Sequence, residues 1–555
     1  MKKRAAKLLA LLLAVVFVLS ACSGGTENPA NDPEAGKTET GSTGSGDLVL
    51  IKDSDMQSMD SVQATDGTSF ELLAAVQEGL YVLNKDGAAE LGLAKEDKVS
   101  EDGLVHTFTL KDDIKWSNGE PITAKDFEYA WKRLIDPATA ADYAFFLETA
   151  AVKNASKIMS GEITDVNELG VKALDDKTFE VTTERKVAFF DKLLAFGSLL
   201  PQNQKFVEEQ GDQYAQAPDK MLYSGPFKMT EWTAGNSYKV EKNENYYDKD
   251  KVMLNSITWK IAKDYQTAAL EFESGSADFV RLSGEVIQRY AGDERLSTVL
   301  GGYLWYLIPN LEGVKELKNT NLTLAIANAF DREEISKIVL NDGSLGAHAF
   351  VPKDLAFSPS NKEYRADAGD DFFKEGKEKA KEYGKKAFEE LGIQSLTLEL
   401  LFEDSEESKK VAEYLQSQLQ ANIEGLTVNL KSQPKKSRLQ LQQDGDFQLA
   451  LHRWGPDYPD PMTYLDLFIK DSTNNYGKFY SEEYDKLIAE INSGKLSNED
   501  RWEKMKEAEK VLLKEAQGPI PVYQVGNTTM WNPNVSGYIH NTTGPNYTYK
   551  EAVKK

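Results

Sequence analysis

Between residues 395 and 455 the spacing of apolar side chains changes period repeatedly, and this alternation limits the possible fold more than any other stretch. Leu396, Leu398, Leu400 and Phe402 recur at every second residue, which is strand spacing. Asp404 or Ser405 then stands where a helix cap belongs, ahead of Val411, Tyr414, Leu415 and Leu419 at helical spacing. Leu426, Val428 and Leu430 return to period two, Ser437 to Gln443 reads as a short helix, and Phe447, Leu449 and Leu451 form a third strand. Strands separated by helices pair in parallel, because a crossover helix brings each strand back in the same direction. The stretch is therefore part of an α/β, doubly wound lobe. In such sheets ligands bind beyond the carboxyl ends of the strands. The segment just past the third strand is Arg453-Trp454-Gly455-Pro456-Asp457-Tyr458-Pro459-Asp460-Pro461, so it is the first place to look for a site.

Elsewhere strands and helices are mixed. His106, Phe108 and Leu110 alternate with threonines, Phe179 and Val181 alternate with polar residues further on, and both segments suit half-buried strands. Thr123-Ala-Lys-Asp126 resembles a capping box with Asp in the place of Glu or Gln. Phe127, Ala130, Trp131 and Leu134 then lie on one helical face, and Asp136-Pro137 ends the helix.

The N-terminus carries an address. MKKRAAKLLALLLAVVFVLSAC has a basic start and an apolar run from Leu8 to Leu19. At 1.5 Å per residue that run spans about 18 Å, short of a ~30 Å hydrocarbon core. Residues 1–21 therefore read as a signal peptide. Leu19-Ser20-Ala21-Cys22 is similar to a bacterial lipobox, which implies cleavage before Cys22 and its lipidation. Residues 22–46 are Gly-, Ser-, Thr-, Pro- and Glu-rich without a large apolar side chain, and read as a flexible, lipid-anchored tether.

Several kinds of chemistry are excluded. Acids outnumber bases 89 to 65, for a net charge of −24, and a phosphate backbone is repelled by such a chain. Cys22 is the single cysteine, so no intramolecular disulfide or thiolate metal cluster forms. The four histidines, His106, His348, His452 and His540, make no i, i+4 pair. HExxH, GxSxG and the phosphate-binding GxxxxGK[ST] are missing, and Asp53, Asp55 and Asp60 lack the Gly and Glu of a calcium loop. The expectation is a protein without metal or cofactor, and not an enzyme.

A run of ordered segments resembles a known family. Gln77-Glu78-Gly79-Leu80-Tyr81 is followed by DGLVHTFTLKDDIKWSNGEPITAKDFEYAWKRLIDP at 102–137 and ELGVKALDDKTFEVTTER at 168–185. SGPFKMTEW at 224–232, KNENYYD at 242–248, with Glu244 where a proline is usual, and AFDREEI at 329–335 complete it. These segments are similar to the bacterial extracellular solute-binding proteins of the oligopeptide/dipeptide class, most of all the oligopeptide-binding lipoproteins of peptide ABC importers.

The resemblance implies a two-lobed, periplasmic-binding-protein-like clamshell with a third, inserted domain. One lobe is expected from 47–77, 200–302 and 525–555, the inserted domain from 78–199, and the second lobe from 303–524. It implies an oligopeptide ligand, a monomer held at the outer face of the cell membrane through Cys22, and delivery to the transmembrane subunits of an ABC permease. A peptide carries an α-ammonium with a pKa near 8. A receptor that reads peptides of any sequence must hold that cation. The family's amine-binding aspartate falls on Asp457, in the context Trp454-Gly455-Pro456-Asp457-Tyr458. Gly455 stands where relatives often carry cysteine, a departure expected to alter shape more than function. By resemblance Tyr143 and Tyr523 line the cleft, and Ser69 and Phe70 lie near the ligand. Arg453 is expected to contribute its backbone and not to pair with the peptide carboxylate. Trp305 and Tyr306 read as core strand. A receptor of the same fold for a signalling peptide, a sugar oligomer or a metal chelate stays open as the alternative.

Overall fold

A computed structural model describes residues 46–555, apart from Asp86 and Asp471. The leader, Cys22 and most of the tether lie outside the described residues.

The three strands read from the alternating segment are Leu396–Glu403, Leu426–Gln433 and Leu449–Trp454, with Leu396–Glu403 paired in parallel to both of the others. The helices between them are Glu406–Asn422 and Lys435–Gln443. Of the two candidate caps Ser405 serves, its hydroxyl accepting from the Ser408 N–H at 3.2 Å. Leu398, Leu400, Val411, Leu415, Leu419, Val428, Leu449 and Leu451 form one buried core with the helix Thr320–Asn328. The apolar periods of the sequence thus mark the face each element buries.

These strands are one end of a larger sheet. Its order is Leu426–Gln433, Leu396–Glu403, Leu449–Trp454, Leu296–Pro309, Ile520–Trp531, Phe279–Leu282, Asp47–Lys52, Ser256–Ile261, Ser237–Lys242, Phe227–Thr233. The two long central strands, Leu296–Pro309 and Ile520–Trp531, are antiparallel and join the two ends. Their register shifts between Leu300 and Leu304, at Gly301-Gly302-Tyr303. At Gly302 a Cβ would stand 2.2 Å from the Thr542 carbonyl oxygen and 2.4 Å from Pro456, so only glycine admits this approach of the Asp457 loop.

A separate four-stranded sheet runs Ala94–Val99, Val105–Leu110, Thr178–Thr182, Val171–Ala173. The expected helix, Ala124–Ile135, packs on it through Phe127, Ala130, Trp131 and Leu134, and Trp131 meets Phe179 edge-on at 5.4 Å. The fold is the expected α/β clamshell of two lobes with a third, inserted unit. Among the described residues no helix is long and apolar enough to cross a membrane.

Candidate binding site in the cleft

The site grows out of the last parallel strand. Leu449–Trp454 pairs with Leu296–Pro309 so that Trp305 faces Arg453 and Tyr306 faces His452. Alternation along the strand sends His452 into the core beside Tyr306, with an Arg438 guanidinium nitrogen 2.9 Å from its Nδ1. Burial holds that imidazole well below its ordinary pKa, so it stays neutral. Arg453 takes the other face.

The loop after Trp454 is rigid by construction. Pro456, Pro459 and Pro461 restrict its backbone. Asp460 receives both terminal nitrogens of Arg501 at 2.8 Å and accepts the Met462 N–H at 3.0 Å. Tyr464 donates to the Gly302 carbonyl and lies 3.1 Å from that of Trp454. Tyr458 stacks on Phe189 with ring centroids 4.7 Å apart and planes within 4°.

Asp457 sits in this frame. Its N–H donates to the Thr463 hydroxyl at 3.1 Å, and its carboxylate accepts the Tyr143 hydroxyl at 3.1 Å. Among the described residues no ion pair reaches it. The group is half-buried, and desolvation pushes its carboxyl up to about 7, against the opposing hydrogen bond from Tyr143. A carboxylate that is crowded, hydrogen-bonded once and without a counter-ion is equipped to accept a cation from outside the chain.

Tyr143 is itself supported. Phe70 meets it edge-on at 5.5 Å, while Phe145 and Phe196 pack at 5.5 and 5.1 Å. Arg453 places its guanidinium 5.2 Å from the Tyr303 ring and 5.4 Å from Trp305. Trp454 is half-buried and its indole N–H has no partner among the described residues, an unspent donor. At Gly455 a Cβ would come within 2.2 Å of the Tyr303 ring, so the missing side chain is matched by the tyrosine that occupies its space. Tyr523 stacks on Trp305 at 6.0 Å and is 3% exposed. Trp305 and Tyr306 are buried strand residues. Ser69 is fully buried; it donates to Asp66 at 2.6 Å and accepts the Gln57 and Ser58 N–H groups at 2.9 and 3.0 Å. All its hydrogen-bonding capacity is spent on the protein.

Asp457, Tyr143 and Phe70 thus come together, as do Arg453, Trp454 and Gly455 around Tyr303, whereas Ser69 and Tyr523 stand behind these groups. Sequence reasoning assigned no role to Tyr303 or Thr463, which pack against Arg453 and Asp457. Among the described residues no cluster of His, Cys, Asp and Glu has metal-binding geometry, and Asp53 and Asp60 pair with Arg281 and Arg133.

Comparison with known proteins agrees with this architecture. Residues 88–476 match the family described as bacterial extracellular solute-binding proteins, family 5. The dipeptide-binding protein of Lactococcus lactis is 34% identical over 516 residues, covering 90% of this chain and 93% of the relative. The substrate-binding domain of an oligopeptide ABC transporter from Bacillus anthracis superposes with a TM-score of 0.82 at 36% identity, over 92% of this chain and 98% of that one. The Listeria monocytogenes OppA bound to peptide gives 0.81 at 36% identity, over 92% and 99%. The chain therefore belongs to the bacterial extracellular solute-binding proteins of family 5, which are binding proteins and not enzymes.

Proposed function

We propose that this protein binds oligopeptides by their free amino terminus in the cleft between its lobes and delivers them to an ABC permease. The observation that carries the reading is Asp457: a half-buried carboxylate with one hydroxyl partner and, among the described residues, no cation. At 4 Å and an effective dielectric near 20, an ammonium gains about 4 kcal/mol there before desolvation costs. An incoming ammonium also favours the ionised carboxylate that burial disfavours, so ligand and site correct each other's electrostatics. The names of the relatives, a dipeptide-binding protein and an OppA bound to peptide, support the same class of ligand.

In this reading the lobes are 47–77 with 200–302 and 525–555, and 303–524, with 78–199 inserted. An extended peptide pairs its backbone in the cleft, its side chains enter hydrated pockets, and rotation about the two long strands buries it. Cys22 carries the lipid that keeps the protein at the outer face of the membrane, and a separate subunit hydrolyses ATP.

Mass spectrometry of small molecules released by denaturing the tag-free protein tests the reading. Peptides with free amino termini are expected. A sugar oligomer or a metal chelate as the released ligand would overturn it.

A further inference from the structure

The inserted unit is tied to the first lobe by polar contacts on both backbone and side chains. Arg133 meets Asp60 through two nitrogens, at 2.9 and 2.7 Å. The buried Glu78 accepts the Tyr246 hydroxyl and, at 2.7 Å, the Tyr247 hydroxyl. The Ser117 N–H donates to the Tyr223 carbonyl at 2.9 Å. Parting these groups would strand buried charge, so the inserted unit travels with the first lobe. Its contact with the second lobe differs: among the described residues no backbone hydrogen bond crosses it. That contact is made by the irregular chain after the strand Thr178–Thr182 and by the short helix Phe190–Leu193 that follows. Phe190 packs inward on His106, ring centroids 4.3 Å apart. Its neighbour Phe189 points outward, onto Tyr458, and the Arg501 guanidinium lies 5.0 Å from the Phe189 ring. Lys192 donates to the Pro459 carbonyl at 3.2 Å. The backbone of Lys186 runs so close to Gly494 that a Cβ there would stand 2.9 Å from the Lys186 carbonyl oxygen. Arg185 brings its charge to bear on Asp466. Crowding by protein pushes the Asp466 carboxyl up to about 6, opposed by the Asn492 amide at 3.0 Å and by that guanidinium.

The receiving loop is the one that carries Asp457. Three successive residues of it are held from the inserted unit: Asp457 by Tyr143, Tyr458 by Phe189, and the Pro459 carbonyl by Lys192. The fourth, Asp460, is fixed by Arg501, whose guanidinium also covers the Phe189 ring. Capture of an ammonium at Asp457 and the grip of residues 185–192 therefore act on one rigid loop. We infer that residues 185–192 are a latch: Phe189 and Arg185 hold the second lobe shut on the inserted unit without touching the ligand, and so set how long a bound peptide stays. Encounter takes place while the lobes are apart, before the latch forms, so the latch acts on release and not on capture. The inference rests on the peptide reading and the lobe division proposed above.

Release and affinity measured together test the latch. Isotope-labelled tri-alanine bound to the wild type, Phe189→Ala, Arg185→Glu and Arg185→Lys is chased with excess unlabelled peptide, which gives the dissociation rate. Calorimetry with tri-alanine gives the affinity, and the two give the association rate. Phe189→Ala and Arg185→Glu should release the peptide at least tenfold faster, with association within threefold of the wild type. Arg185→Lys keeps the charge and should release within threefold of the wild type. Thermal unfolding shows which variants are folded. Arg185 is half-buried, so Arg185→Glu carries the test if Phe189→Ala does not fold. Release within threefold of the wild type by a folded Phe189→Ala or Arg185→Glu would overturn the inference while leaving the amine site standing. So would a loss of affinity that lies wholly in association. Failure of tri-alanine to bind the wild type would instead remove the peptide reading, and this inference with it.

Discussion

In the proposed reading Asp457 decides the chemistry, because its environment is unbalanced. Its carboxyl, pushed from an ordinary value near 4 up to about 7 by desolvation, makes the empty protein progressively less stable as pH rises through that window, since burying the ionised form costs energy. A peptide ammonium offsets that cost. The rise in unfolding temperature on adding tri-alanine should therefore be larger at pH 7.5 than at pH 5, and a gain that is equal or larger at pH 5 would contradict the assignment. Gly455 gives a second residue-level test. Gly455→Cys would drive its Cβ into Tyr303, so peptide affinity should fall about tenfold as the ring and Arg453 are displaced, with about 1–3 kcal/mol lost in denaturant unfolding. Unaltered affinity would show that the ring has room to yield. The loop that carries Asp457 was legible from its place beyond a strand end. Tyr303 was not, because it joins the site only when a strand some 150 residues away pairs beside Arg453. Ser69 was expected near the ligand, and the local pattern Asp66-x-x-Ser69 explains its actual work: both residues serve a helix cap.

At the level of elements, short-range patterns were readable and long-range pairings were not. The helix Ala124–Ile135 begins and ends where Thr123-Ala-Lys-Asp126 and Asp136-Pro137 place it, and Asp126 accepts from the Thr123 N–H at 2.7 Å and from its hydroxyl at 3.0 Å. Asp126→Ala should cost about 1 kcal/mol in denaturant unfolding, as loss of such a cap does, and leave peptide affinity within twofold. A large loss of affinity would mean that this helix positions Tyr143 more directly than its contacts indicate. The parallel segment at 395–455 was legible because each of its strands carries its own period-two signal. The long strands Leu296–Pro309 and Ile520–Trp531 were hidden for two physical reasons. Gly301-Gly302 interrupts the alternation of the first, and its partner lies more than 200 residues away, where no local spacing points to it.

For the whole molecule, the proposed ligand groups are complete only where the inserted unit meets the lobe of parallel strands. Tyr143 comes from the segment near the four-stranded sheet and Asp457 from the lobe of parallel strands, and Phe189 with Tyr458 and Lys192 with the Pro459 carbonyl, at 3.2 Å, bridge the same junction. Saturating tri-alanine should reduce the radius of gyration measured by small-angle X-ray scattering, and should leave it unchanged for Asp457→Ala. Contraction of that variant to the same extent would place the trigger elsewhere. The most direct test of the central claim is a calorimetric titration of one tripeptide, free and N-acetylated, into the wild type and Asp457→Ala. The account predicts that acetylation abolishes measurable binding to the wild type and that the substitution weakens binding of the free peptide at least tenfold. Equal affinity for free and acetylated peptide, or unchanged affinity of the variant, would contradict it.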